Sequence, residues 1–175
     1  DGSWSRGLGD VYKRQAEDIP LRFFISAPIF GILAGLMVFL KGNLLFSNTW
    51  MPETVALTHL LTLGWMGSVM FGALYQMIPV LLGGIVPFPK LSRILHTMLI
   101  PAILLMVSGF FWNHSWMLKA SLALLFPTIL LFLLQLVQPF VQVDGSRPSV
   151  LAMRFAAICM SLTLLLGSLN LVQYS

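Results

Sequence analysis

Residues 57–79 read LTHLLTLGWMGSVMFGALYQMIP, and the fold turns on how this stretch is interpreted. It is apolar and long enough to cross a bilayer core, which takes about 20 residues of helix. It also carries His59, one turn inside its start. An ionisable side chain in a membrane span is costly to hold there and marks a functional site by default. Gly64, Gly67, Ser68 and Gly72 strip bulk from the same segment, so a flat group or a second helix can approach its backbone. Steps of three and four from His59 reach Thr62, Leu63, Met66, Met70, Ala73 and Met77, which share one face of a regular α-helix.

Composition agrees with a membrane setting. The chain has 175 residues, 58% of them hydrophobic and 9% charged, whereas soluble domains carry roughly 25% charged residues. The formal net charge of +4 does not point to nucleic acid, because the basic residues sit in short connections and no basic groove interleaved with aromatics is visible. Basic residues so placed set topology instead. The single cysteine, Cys159, lies in an apolar run, has no second cysteine to pair with, and reads as a small hydrophobe.

Five apolar runs are long enough to span, predicting an all-α, polytopic bundle of five transmembrane helices: about Leu21–Leu40, Thr54–Leu82, Leu91–Trp112, Met117–Phe140 and Val150–Val172. Pro20 suits the start of the first, and Gly31 with Gly35 forms a small-xxx-small pair for helix contact. Gly83 to Pro89 is a breaker cluster, Asp144 to Pro148 a turn, and Pro127 a kink inside the fourth run. Barrel strands would alternate in hydropathy, and these runs do not. No linker separates soluble domains, so residues 16–175 read as one bundle, expected to be a fragment of a larger subunit. Residues 1–15 are set apart. Asp10 to Gln15 back-translates to GAT GTG TAT AAG AGA CAG, the look of a sequencing-adapter end, so 1–15 is expected to be a translated artefact and disordered.

Orientation follows from Lys and Arg. Arg22, Lys90, Arg93, Arg147 and Arg154 fall on one side of the bundle, and only Lys41 and Lys119 on the other. The first side is expected to be cytoplasmic, with the N-terminus inside, in the multi-pass arrangement of a bacterial inner-membrane protein. His59 then lies near the outer face and His96 near the inner face, on the order of 20 Å apart in depth at helical rise, too far to share one iron. His114 falls between Trp112 and Trp116 in an outer connection and reads as an interface anchor.

A neutral imidazole in a dry span is a natural axial ligand for haem iron, so His59 is the candidate cofactor and metal residue. His96 is a second, weaker candidate, equally explained as an interfacial hydrogen-bonding histidine. Tyr75 and Gln76, near the inner end of the second span, could hold a haem propionate or a quinone oxygen. Hydrogen bonding between helices explains them as well, and also Gln135, Gln138 and Asn170. No phosphate loop, dinucleotide glycine pattern, Gly-x-Ser-x-Gly or Cys-x-x-Cys is present, and no two carboxylates share a span. No catalytic residue is assigned.

His59, the step Leu63-Gly-Trp65, Met70, Gly72-Ala-Leu-Tyr-Gln76 and Pro79 together resemble the second transmembrane helix of subunit I in the haem-copper oxidase superfamily. The likeness is nearest to its short relatives and to the branch of C-family oxidases and nitric oxide reductases. The pattern is also similar to the NnrS family of haem-containing membrane proteins tied to nitric oxide stress, as is the Arg22-Phe-Phe opening. The resemblance implies that His59 is an axial ligand of a low-spin, b-type haem. It further implies a second ligand from other sequence or another membrane subunit, a cytochrome as electron donor, and a role in electron transfer or nitric oxide response. A complete oxidase subunit has many more spans, and its copper ligands and second haem ligand, which lie on later helices, have no match here. The competing expectation is a cofactor-free, multi-span transport or structural protein in which His59 hydrogen-bonds or relays protons.

Overall fold

The computed structural model describes residues 3–82, 88–142 and 148–174. Every element among them is helical. Helix α1 runs Ser3–Lys41 and is followed by a 3₁₀ turn, Gly42–Phe46. Helix α2, Pro52–His59, leads without a break into a π-helical segment, Leu60–Met66, and then into α3, Gly67–Leu82. Helices α4 (Pro89–Phe111), α5 (Ser115–Gln142) and α6 (Pro148–Tyr174) complete the chain. Five stretches are long and apolar enough to span: Asp18–Lys41, Pro52–Ile78, Pro89–Phe111, Ser115–Val137 and Pro148–Asn170. The chain is a multi-pass helical membrane protein, and lipid is the solvent of its outer surface.

Several sequence expectations change in detail. The backbone of residues 3–15 is helical and continuous with α1, not irregular. No proline interrupts it before Pro20, and extending a helix that already exists adds one hydrogen bond per residue fixed. Pro20 is therefore interior to α1 and not its start. Pro89 does begin a helix, as its fixed φ favours. Residues 83–87 and 143–147, which hold most of the expected breaker cluster and turn, and Arg147 with them, lie outside the described residues.

Helices α4 and α5 form an antiparallel hairpin whose connection has a defined geometry. Asn113 takes a left-handed conformation (φ 52°), the His114 N–H donates to the Gly109 carbonyl at 2.9 Å, and the Asn113 N–H donates to the Phe110 carbonyl at 3.2 Å. This is a Schellman closure, with asparagine tolerating the conformation usually left to glycine. Gly109 is needed for a second reason: a methyl there would stand 2.7 Å from Leu118 Cδ2 and 3.1 Å from the Leu118 backbone nitrogen. On α4, Ser92, Leu95, Leu99, Ala102, Ile103, Met106, Gly109 and Phe110 are buried, a stripe at helical period.

Helix α1 lies along α3 and the π segment, α2 along α4, and α5 carries α6. Only 6% of the α6 span is buried, against 33–39% for the other four, so α6 is peripheral. The centre of the bundle is aromatic. Phe23 stacks on Phe71 (5.8 Å) and on Tyr75 (5.6 Å), and Phe132 meets both Phe71 and Tyr75 edge-on. In lipid, such contacts hold helices by van der Waals packing, since burial between helices removes no water-facing surface. Trp50, Trp112 and Trp116 are exposed at one end of the bundle, where an interfacial aromatic belt belongs.

Candidate functional site

His59 is the last residue of α2 and is half-buried. Its Nδ1 lies 2.8 Å from the Val55 carbonyl, four residues back on its own helix. A carbonyl can only accept, so Nδ1 carries the hydrogen and Nε2 keeps its lone pair. One face of the ring stacks on Phe110 of α4, with centroids 5.2 Å apart and planes 25° from parallel. The imidazole is thus oriented from two sides, by a backbone acceptor and by an aromatic face, with its basic nitrogen directed away from both. The pinning of one ring nitrogen to a carbonyl is the outer-shell contact that metal-ligating histidines ordinarily make.

The π segment begins at the next residue. Its Gly67 N–H reaches the Thr62 carbonyl, five residues back. Wider turns of this kind, with i→i+5 bonds, are rare and are frequently found at functional sites. They break the α-helical register, so His59 does not share a face with the residues that regular steps assign to it. Met66, Met70 and Met77 are exposed, at 56, 59 and 44%, and Thr62 is exposed with its hydroxyl donating to the Thr58 carbonyl at 2.7 Å. The methionine face looks outward to lipid while the histidine packs on α4.

The thinned positions are filled by rings of α1. A methyl on Gly64 would lie 2.9 Å from Phe30 Cγ, and one on Gly72 would lie 3.0 Å from Phe24 Cε1. Of the two readings of these glycines, the structure takes the second helix. Gly31 faces the Trp65 ring at 3.8 Å, whereas Gly35 has nothing within 4 Å, so only half of that small-residue pair makes a contact.

His96 belongs to a different place. Its Nε2 lies 3.3 Å from Ser26 Oγ, whose own hydrogen goes to the Phe23 carbonyl at 3.0 Å, so the ring nitrogen is the donor. Its ring meets Phe23 edge-on at 4.8 Å. His59 instead touches Phe110, 14 residues further along α4 (110 − 96), or about 21 Å at helical rise. The two histidines stand at opposite ends of α4, as expected. His114 is exposed in the α4–α5 connection.

Tyr75 is 2% exposed and donates its hydroxyl to Gln135 Oε1 at 2.8 Å, and Ser92 donates to the same oxygen at 3.2 Å. The structure therefore brings Tyr75 together with Gln135 as helix-to-helix bonding predicts, and adds Ser92, which sequence reasoning passed over. The signal was present: Tyr75, Ser92 and Gln135 each lie within about two turns of the same end of their helices. Gln76 is exposed on the far side of α3. The Asn170 amide donates to its own helix at Leu166, 3.0 Å away, and the Gln138 side chain lies outside what the structure describes. At that same end Asp18 binds Arg22 at 3.0 Å and Arg93 at 3.5 Å. At the opposite end Lys41 pairs with Glu53 at 3.7 Å and sits 4.8 Å from the Phe111 ring centre, tying α1, α2 and α4 together.

Among the described residues no three His, Cys, Asp or Glu side chains gather to hold a metal ion. A haem needs only one or two protein ligands, and His59 has the donor chemistry for one. Comparison with known proteins finds no matching family, no matching curated protein and no matching solved structure.

Proposed function

We propose that this multi-pass protein is a haem-binding component of a bacterial inner membrane, akin to oxidase and nitric oxide reductase subunit I. In this reading His59 is one axial ligand of a low-spin, b-type haem, and the protein works in electron transfer or nitric oxide response. The observation that supports it is the Val55 carbonyl on His59 Nδ1, which leaves Nε2 as the free basic nitrogen. That bond fixes the tautomer an iron ligand requires. Phe110 holds the ring plane, so the imidazole loses little freedom on binding. A bound haem would supply reversible one-electron chemistry. The second axial ligand comes from other sequence or another membrane subunit, because His96 stands too far along α4. The surplus of Lys and Arg beside α1 and α4 supports a cytoplasmic N-terminal side, with His59 near the outer face.

A second reading has its own support. Phe24 and Phe30 occupy the glycine notches, and Phe110 covers one face of the imidazole. These contacts suit a cofactor-free bundle in which His59 is a packing residue. Reduced-minus-oxidised difference spectra of membranes containing the protein separate the two. Haem bands that disappear in His59→Ala support the first reading, and bands absent from the parent or unchanged by the substitution support the second.

A further inference from the structure

Gln135 is 3% exposed and Ser92 0%, and with Tyr75 they join α3, α4 and α5. Gln135 Oε1 accepts both hydroxyl hydrogens, which fills its two lone pairs. Its amide nitrogen has no hydrogen-bond partner. Rotating the amide by half a turn does not cure this. The NH₂ group would then face the hydroxyls, and the buried carbonyl oxygen would be left without a donor. With both hydroxyls donating to Oε1, the unmet group is a pair of N–H donors on a side chain 3% exposed, beside a Tyr75 ring packed on Phe23 and Phe132. A buried amide that loses water and finds no replacement is strongly unfavourable.

We infer that the Tyr75–Ser92–Gln135 cluster binds a water molecule, which accepts from the Gln135 amide and donates to the lone pairs left on the Tyr75 or Ser92 hydroxyl. The ligand must be small, since none of the three side chains has appreciable exposure. It must offer an acceptor, since donors are what remain, and water with two to four polar partners is the usual occupant of such a site. Supply is close at hand. Ser92 follows Pro89, the first residue of α4, by three, and Tyr75 and Gln135, which bond at the same level, each stand two turns before the last described residue of their helices, Leu82 and Gln142. The water closes a polar node across three helices and hydrates a tyrosine that stands inside the membrane.

X-ray hydroxyl-radical labelling of the full chain in lipid nanodiscs tests this, because radicals form from bound water in place. Tyr75 is expected to be oxidised several-fold more than Met106, an intrinsically more reactive side chain that is also buried, at 6% exposure. Gln135→Met keeps the shape and removes the amide, and it should bring Tyr75 down to the Met106 level. Tyr75 as inert as Met106 in the native chain would overturn the inference, as would labelling that survives Gln135→Met. If that variant does not fold, the native comparison decides alone. Neither arm involves His59 or a haem.

Discussion

A single hydrogen bond decides what His59 can do. With Nδ1 committed to Val55, the ring presents one lone pair and no second donor, which makes it a ligand or an acceptor. Sequence identified this residue because a histidine within an apolar run stands out. It did not identify Phe110, since nothing in the spacing of α4 says which of its aromatic residues meets α2. The glycines show the same limit. Gly64 and Gly35 look alike in sequence, yet a methyl on Gly64 meets the Phe30 ring at 2.9 Å and one on Gly35 meets nothing within 4 Å. Gly64→Ala should therefore destabilise the bundle by about 1–3 kcal/mol, the usual cost of overpacking. Gly35→Ala should be neutral or stabilising by up to about 1 kcal/mol, since the backbone is already helical there. Thermal or denaturant unfolding in detergent reads both, and equal effects at the two positions would refute the packing described.

At the scale of the element, hydropathy sets the spans and local chemistry sets their ends. The five runs are legible because a bilayer demands about 20 apolar residues from each, and Pro89 marks a helix start by its fixed φ. The π segment was not legible. It lies where Gly64 and Trp65 come close to Phe30 and Gly31 of α1, a juxtaposition of distant parts of the chain. The expected methionine face failed for that reason: regular steps were carried through a stretch that is not regular. Helix α6 differs again, since its sequence resembles the other spans but its surface is almost wholly exposed. Cys159 lies on that exposed surface, well inside the span. A lipid-soluble maleimide should label it in intact membranes, and a charged, water-soluble one should not. Protection from both would mean that α6 is covered.

For the whole molecule, charge and aromatic placement distinguish the two ends of the bundle. Arg22, Arg93 and Arg154 gather at one end and Trp50, Trp112 and Trp116 at the other. Reporter fusions should report the cytoplasm at Lys90 and the opposite compartment at Asn113, and the reverse result would move His59 to the inner face. The bundle itself follows from composition; the proposed haem does not, because one ligand is half of a haem site. The most direct measurement is titration of haem into the purified protein in detergent with excess imidazole supplying the missing axial position. The account predicts a saturable six-coordinate Soret band in the native chain that is lost in His59→Ala and kept in His96→Ala. Indistinguishable titrations of the native protein and His59→Ala would contradict it.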